Sequence, residues 1–258
     1  MKVIIISDLE GISCVDDIDM IFVDEEYQKA RKLLMEDVNA TISGAFEGGA
    51  SEVYVLDGHG GGNNFIPELL DKRAKQIKFA DFNCFECDEY DAAITMGCHA
   101  MAGTTEAFLD HTQSSSTWFD YKVNGKSYGE IGQQAITFGA HSVPLVMVSG
   151  DLAACNEAKS LIPNIATAIV KSAKIRNKAE CLPLEEALKK ISDAAADGVR
   201  RYKEIKPYKI ETPADISLTL YRNDYCDDIV KNNANLQRNG RTVSKTVDTI
   251  KCHKDILF

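Results

Sequence analysis

Short apolar runs alternate with longer stretches of helical periodicity over roughly the first 170 residues of the chain. The first run, Val3-Ile4-Ile5-Ile6, is β-branched and has no polar interruption, which predicts a strand buried on both faces between layers of helices. Further runs of this kind lie at 52–56, 92–96 and 143–148, with weaker ones at 77–80 and 166–170. The rhythm predicts an α/β fold with a doubly wound, mostly parallel sheet and helices on both faces.

The segment 25–47 carries the clearest helical pattern, because its apolar residues recur every three or four positions. These residues are Tyr27, Ala30, Leu34, Val38, Ile42 and Phe46. The pair Gly48-Gly49 ends the pattern, as glycine commonly ends a helix. Further helices are predicted at 66–72, 129–138 and 152–161.

Residues 119–128 alternate in polarity around Asn124-Gly125, a strong signal for a β-hairpin. After Cys181 the character of the chain changes and no strand ends in residues that bind metals. The predicted elements there are a charged amphipathic helix at 184–202, strands at 206–210, 215–221 and 242–247, and a helix at 224–231. We therefore expect an α/β catalytic core of residues 1–182 and a smaller α+β domain of residues 183–258, with which the hairpin can pair.

Three of the predicted core strands end in side chains that can bind a metal ion. Asp8 and Glu10 follow the first strand, His59 follows the second, and His99 follows the run at 92–96. Because the carboxyl ends of parallel strands share one edge of the sheet, these side chains are expected to converge. The alternative is that they are ordinary polar residues at strand ends and turns.

Imidazole combined with carboxylate suits Zn²⁺, and a catalytic zinc keeps one position open for water. With Glu130, which opens a predicted helix, the candidate ligands are Asp8, Glu10, His59, His99 and Glu130. Five ligands exceed the need of one tetrahedral catalytic zinc. They are enough for two metal ions about 3.5–4 Å apart, the spacing used by two-metal hydrolases.

The composition excludes several other classes of function. The formal net charge of -10 and the isoelectric point near 5.0 disfavour nucleic acid or an anionic membrane surface as a partner. No apolar run approaches the about 18 residues of a membrane span. The first strand starts at Lys2, which leaves no room for a signal peptide, so we expect a cytoplasmic location.

Beyond these single motifs, a series of segments in about the first 185 residues follows one order. They are Ser7–Ser13, Asp57–His59 with Asn63-Asn64, Gly97–Ala100, Asp110–Thr112, Gly129–Gly132, Val146–Asp151 and Ala158–Asn164. This series resembles the zinc-dependent D-aminopeptidases of the dipeptide-permease-operon type, peptidase family M55.

The resemblance implies an activity on short peptides with a free N-terminus, with D-residues preferred, and a ring-like homo-oligomer that encloses the sites. It also implies that Asp8 bridges two zinc ions. Glu10 and His59 would complete one site, and His99 and Glu130 the other. The family's catalytic histidine falls on His111, which could act as nucleophile or as general base.

Two other functions remain open at this stage. Asp8-Leu9-Glu10-Gly11 after a buried strand, with Gly150-Asp151 later, superficially resembles a haloacid-dehalogenase-type phosphohydrolase, which uses Mg²⁺ and an aspartyl-phosphate. That function leaves the candidate metal-binding histidines without a role. A non-catalytic metal- or peptide-binding protein would keep the ligands but would not need His111.

Overall fold

The computed structural model describes residues 1–78, 87–231, 233 and 235–258. The strands are β1 (Lys2–Ser7), β2 (Glu52–Asp57), β3 (Ala74–Ile77), β4 (Ala92–Cys98), β5 (Trp118–Val123), β6 (Lys126–Ser127), β7 (Leu145–Asp151), β8 (Ala166–Ile175), β9 (Lys178–Cys181), β10 (Ala214–Leu220), β11 (Gln237–Asn239) and β12 (Thr242–Val247). The helices are α1 (Asp19–Phe22), α2 (Asp24–Glu47), α3 (Glu130–Ala140), α4 (Leu152–Leu161), α5 (Leu184–Arg200), α6 (Asn223–Lys231) and α7 (His253–Ile256). Short 3₁₀ helices lie at His59–Gly61, Pro67–Leu69 and Cys87–Glu89.

The larger sheet has the strand order β3-β2-β1-β4-β7-β8-β9 among the described residues. Every neighbouring pair is parallel except β8 and β9. The order reverses between β1 and β4, and ligands of open α/β sheets bind in the crevice outside the carboxyl ends of such a pair. The predicted doubly wound α/β core is confirmed, and its switch point lies where the candidate ligands follow their strands.

The helices cover both faces of this sheet. The chain leaves β1 and β4 in opposite directions, and right-handed crossovers then place α2 on one face and α3 and α4 on the other. Helix α5 packs closely against α2, since a Cβ added at Gly44 would lie 2.2 Å from the carbonyl oxygen of Ser192. The buried residues of α5 belong to the same hydrophobic core as β1. The sequence analysis placed this helix in the smaller domain, whereas α5 packs on the larger sheet. The domain boundary near residue 183 remains a prediction.

The second sheet is antiparallel, with the strand order β11-β12-β10-β5-β6. The hairpin of β5 and β6 turns at Asn124-Gly125 and pairs with β10 from the C-terminal part of the chain. The core beneath this sheet includes Tyr121, Leu218 and Val243. The predicted pairing of the hairpin with a smaller C-terminal layer is therefore present.

Two predicted strands differ from the structure. Residues 206–210 form no strand, because the chain there packs across α3 instead of pairing: a Cβ at Gly139 would lie 1.7 Å from the carbonyl oxygen of Tyr208. The weak strand expected at 77–80 lies earlier, at Ala74–Ile77, and residues 79–80 fall outside the described residues. Among the helices that the structure describes, none combines the length and apolar character needed to cross a bilayer.

Candidate metal centre

The chain turns sharply after β1, and this turn presses against the end of β4. The amide of Asp8 donates to the carbonyl oxygen of Met96 at 2.8 Å, and the amide of Gly11 donates to that of Gly97 at 2.8 Å. A Cβ at Gly11 would lie 1.9 Å from the carbonyl oxygen of Cys98, so only glycine fits. This close approach brings the side chains that follow β1 beside those that follow β4.

His59 follows β2 and points back toward the turn after β1. The Asp57 carboxylate accepts the amide of Asn64 at 2.5 Å, and the Asn64 side chain donates to the carbonyl oxygen of His59 at 2.7 Å. This loop places Nδ1 of His59 3.0 Å from Oδ1 of Asp8 and 3.0 Å from Oε2 of Glu10. One imidazole nitrogen therefore faces two carboxylates.

His99 is buried at the end of β4 and faces a second pair of carboxylates. Its Nδ1 lies 3.0 Å from the carbonyl oxygen of Ala100, a contact that needs the proton on Nδ1 and leaves Nε2 as the donor atom for a metal. Nε2 lies 3.3 Å from Oδ2 of Asp8 and 3.4 Å from Oε1 of Glu130. The amide of Gln113 donates to Oε1 of Glu130 at 2.8 Å and orients it.

The candidate ligands form two groups with Asp8 between them. We call Asp8, Glu10 and His59 the first donor set, and their donor atoms lie within 4.8 Å of one another. We call His99 and Glu130 the second donor set; their donor atoms and that of His111 also lie within 4.8 Å of one another. Asp8 directs one oxygen to each set. Mixed imidazole and carboxylate donors, with positions left open, fit the chemistry of catalytic zinc.

His111 lies over the space between the two sets. Its Nδ1 is 2.8 Å from the carbonyl oxygen of Leu109, which leaves Nε2 with a lone pair. The ring stacks on that of His99, with centroids 3.8 Å apart and an interplanar angle of 12°. Nε2 lies 3.9 Å from Oε1 of Glu10 and 3.9 Å from Oε1 of Glu130. Its Nε2 therefore faces the space between Glu10 and Glu130.

The carboxylates and imidazoles control each other's protonation. Burial alone would lower the pKa of His59, but the charges of Glu10 and Asp8 raise that pKa to about 11. Burial opposes the proton on His99 as well, and its hydrogen bonds to Asp8 and Glu130 raise its pKa well above the usual value. Burial would raise the pKa of Glu10, yet His59 holds it well below its usual range. The Glu10 carboxylate is thus ionised, and a bound cation would take the place of the histidine protons.

A cleft of about 450 Å³ opens beside the first donor set and His111, and Glu10 and His59 lie in its wall. Besides His59 and His111, the residues that line it include Ile21, Phe22, Tyr27, Asn64, Ser114 and Ser115. Phe22 is 70% exposed at its rim. The sequence analysis placed Tyr27 on the stripe of the long helix and Asn64 in the series of segments. It did not single out Ile21, Phe22, Ser114 or Ser115, which lie on the single turn of α1 and on a loop without periodicity.

The structure brings all six candidate residues of the sequence analysis into this one centre. Sequence reasoning missed the residues behind them: Asp57, Gln113, and Lys171 on β8, whose ammonium lies 2.6 Å from the carbonyl oxygen of Glu10. A lysine directly after the apolar run 166–170 was the available signal for Lys171. His253, to which the sequence analysis gave no place, is buried with its Nδ1 3.0 Å from the hydroxyl of Thr137.

Comparison with known proteins shows the family of this chain. The sequence model of peptidase family M55, described as D-aminopeptidase, matches residues 1–255. A D-aminopeptidase of Bacillus subtilis (strain 168) is 33% identical over 223 residues, which cover 83% of this chain and 78% of that relative. The solved structure of "Zn-dependent D-aminopeptidase DppA from Bacillus subtilis, a self-compartmentalizing protease" matches with a TM-score of 0.90 at 26% identity, covering 99% of this chain and 95% of that one. The chain therefore belongs to the D-aminopeptidase family, peptidase family M55, and is a peptide hydrolase.

Proposed function

We propose that this protein is a zinc-dependent D-aminopeptidase that removes the N-terminal residue of short peptides at a dinuclear zinc centre. The observation that carries the proposal is the position of Asp8, which directs Oδ1 toward His59 and Oδ2 toward His99. A carboxylate that faces two donor sets in this way is suited to bridge two metal ions. The relatives named above, one of them described as Zn-dependent, support zinc and D-peptides.

In this assignment Asp8 would contact both ions, Glu10 and His59 would hold one, and His99 and Glu130 would hold the other. The chemistry that zinc would supply is polarisation of the scissile carbonyl and stabilisation of the charge on its oxygen during attack. The carboxylates stay ionised without help from the metal, because the neighbouring histidines lower the pKa of both Glu10 and Glu130 against the effect of burial. The chain therefore offers deprotonated carboxylate ligands at neutral pH.

His111 is the residue that acts on the substrate. The contact of Nδ1 with Leu109 fixes the ring and leaves the lone pair of Nε2 facing the centre. That lone pair can take a proton from an attacking water and return it to the leaving amine, or it can attack the carbonyl carbon itself. The two roles are separated by a rapid-quench search for an acyl-histidine, which only the nucleophilic role would form.

His111 also has a competing use, because its donor atom lies in the same group as those of His99 and Glu130. We assign it to catalysis because its Nε2 lies 3.9 Å from the nearest carboxylate oxygens, whereas Nε2 of His99 lies 3.3 Å from Asp8 and 3.4 Å from Glu130. The more distant nitrogen leaves room for a reacting atom between itself and the carboxylates.

The phosphohydrolase alternative is not favoured. Both oxygens of Asp151 accept backbone amides, from Phe108 and from Ala154 at 2.8 Å each, so this carboxylate caps α4 and supports a loop. It is committed to structural hydrogen bonds, while the histidines that a phosphohydrolase would not use surround the cleft.

We also propose that the chain assembles into a homo-oligomer, ring-like and enclosing its active sites. The support is the relative described as self-compartmentalizing. Large apolar side chains that subunits could cover are exposed at Phe22, Phe119 and Ile175. Size-exclusion chromatography with light scattering would show a single species of several subunits, and a monomer at micromolar concentration would contradict the proposal.

The direct test of the activity is reconstitution. Metal-free protein is given zinc or magnesium and assayed with D-Ala-D-Ala, with L-Ala-L-Ala and with a phosphate ester. We expect release of D-Ala with zinc, about two zinc ions per chain at full activity, and loss of turnover with a chelator. Magnesium-dependent phosphate release would overturn the assignment, and zinc binding without hydrolysis of any peptide would support a binding protein instead.

A further inference from the structure

One buried cation near the centre has no role in the proposed chemistry. Lys171 is 1% exposed, and its ammonium donates to the carbonyl oxygens of Glu10 at 2.6 Å and Val15 at 2.5 Å. It also lies 4.6 Å from the centroid of the Phe108 ring. Among the described residues no carboxylate oxygen lies within 4.0 Å of this nitrogen, so Lys171 is a cation held by main-chain carbonyls and an aromatic face rather than by an ion pair.

A β-bulge sets the direction of this side chain. The parallel pairing of β7 with β8 matches Gly150 with Ile169 and then Asp151 with Lys171, so Val170 is an extra residue in β8. Val170 and Lys171 are both buried although they are consecutive. Bulges of this kind redirect side chains and are frequent beside active sites. The fold thus departs from a regular strand at the residue whose side chain reaches the ligand turn.

The two carbonyls that Lys171 holds belong to one segment, the ligand loop, which we define as residues 8–18. Glu10 and Val15 lie five residues apart in this loop. One ammonium therefore connects the part of the loop that carries Asp8 and Glu10 to the part that leads toward α1. These inward-facing carbonyls need hydrogen-bond donors, and the Lys171 ammonium supplies one to each, while the Cys181 thiol also lies 3.8 Å from the Val15 oxygen.

Phe108 connects the same ammonium to the catalytic histidine. Phe108 belongs to the His111 segment, defined as residues 106–113, and its amide donates to the Asp151 carboxylate at 2.8 Å. Lys171 therefore lies between the ligand loop and the His111 segment and contacts both. Moving it would disturb the main chain of a metal ligand and the support of His111 together.

We propose that Lys171 is a positioning residue: its ammonium fixes the main chain of Glu10 and the Phe108 part of the His111 segment, so that the first donor set and His111 keep the separation that catalysis requires. This inference rests on the dinuclear centre proposed above. Stability alone does not call for a buried ammonium, because burying a charge is costly and an apolar replacement is often tolerated. A role in holding the ligand main chain explains why a charged donor occupies this place.

The experiment compares Lys171→Met, which removes both donated hydrogen bonds, with Lys171→Gln, which keeps an N–H donor on a shorter chain. The matched control is Lys174→Met on the exposed side of the same strand. Co²⁺ is titrated into each metal-free protein, its visible absorption is recorded, and kcat and KM are measured at saturating zinc. Thermal unfolding of the metal-free proteins reports the structural effect separately.

For Lys171→Met we expect metal affinity at the first donor set to fall by about 10- to 100-fold, as when supporting groups of metal ligands are removed. The Co²⁺ spectrum should change and kcat should fall with KM nearly unchanged, Lys171→Gln should lie between, and Lys174→Met should match the wild type. A folded Lys171→Met with wild-type affinity, spectrum and kcat would overturn the proposal, and so would aggregation of both variants, which would assign Lys171 to folding alone. A wild-type chain that binds no Co²⁺ or zinc would instead overturn the proposed function, and this inference with it.

Discussion

The two donor sets differ in how the protein holds them. The residues of the first set lie on loops after β1 and β2, and the His59 imidazole lies 3.0 Å from the carboxylates of both Asp8 and Glu10. The buried ammonium of Lys171 donates to the main chain of this set. The second set is built on the end of β4 and the start of α3, its imidazole is buried, and its contacts to carboxylates are longer, at 3.3 and 3.4 Å. It also shares its space with His111. In the function that we propose, the first set would hold an ion alone and the second would hold an ion beside the reacting group.

Removal of Asp8 is expected to have the largest effect, because Asp8 directs one oxygen to each of the two donor sets. In Asp8→Ala we expect both ions to bind weakly and turnover to fall by well over the about 100-fold that loss of a supporting group costs. Glu10→Gln and Glu130→Gln are the matched controls, and each should weaken one ion only. Elemental analysis after dialysis measures the zinc per chain. Retention of one tightly bound ion in Asp8→Ala would show that Asp8 does not bridge.

A side chain at Gly11 would disrupt the contact between the turn after β1, which carries Asp8 and Glu10, and the end of β4, which carries His99. In Gly11→Ala the new Cβ would meet the carbonyl oxygen of Cys98 at 1.9 Å, so we expect the free energy of unfolding to fall by at least about 2–3 kcal/mol. Gly60→Ala is the control, because Gly60 has φ of +56° but no atom near its would-be Cβ. It should cost only about 1 kcal/mol of backbone strain. Denaturant unfolding of the metal-free proteins measures both, and equal losses would contradict the close approach.

The protonation of His59 makes zinc binding at the first donor set depend on pH. The proton on His59 stabilises the metal-free fold fully below its ordinary pKa of 6.5, and this contribution is lost only as pH rises through about 11. Zinc must displace that proton, so its affinity for the first donor set should rise about tenfold per pH unit between pH 7 and 8. Calorimetric titration in two buffers of different ionisation enthalpy counts the protons released. Zinc binding without proton release would contradict the raised pKa.

The smallest expected effect comes from breaking the ion pair between Arg176 and Asp110 of the His111 segment. Nε of Arg176 lies 3.1 Å from the carboxylate of Asp110, next to His111, and this pair is partly exposed. Arg176→Met should change the free energy of unfolding by no more than about 1 kcal/mol. It should lower kcat a few-fold without loss of zinc, while Lys178→Met, which breaks the 3.3 Å pair with Asp17 on the ligand loop, should leave kcat unchanged. A loss of zinc in Arg176→Met would show that the His111 segment also supports zinc binding, which our proposal does not predict.

Much of the centre could be predicted because parallel strands bring their carboxyl ends to one edge. The acids after β1, His59 after β2 and His99 after β4 needed only the order of the strands to converge. The local signal of the hairpin at Asn124-Gly125 was equally clear. Each depends on residues that are neighbours in the sequence.

The features that escaped prediction depend on tertiary contacts. The apolar stripe of α5 shows that the helix is buried but does not say against which sheet. Lys171 reaches the ligand loop only through a bulge in β8, which no local pattern marks. His253 is buried because the end of the chain packs on α3, a contact that spans more than a hundred residues.

The central claim is that two zinc ions bind independently of His111, which acts on the substrate. The most direct measurement is a zinc titration of His111→Ala, with turnover of a D-Ala peptide measured at saturation. We predict about two zinc ions per chain, bound as tightly as in the wild type. Turnover should fall by about 10²- to 10⁴-fold, the usual contribution of a positioned acid–base group. Loss of one ion from His111→Ala would make His111 a ligand of the second donor set and would contradict the assignment.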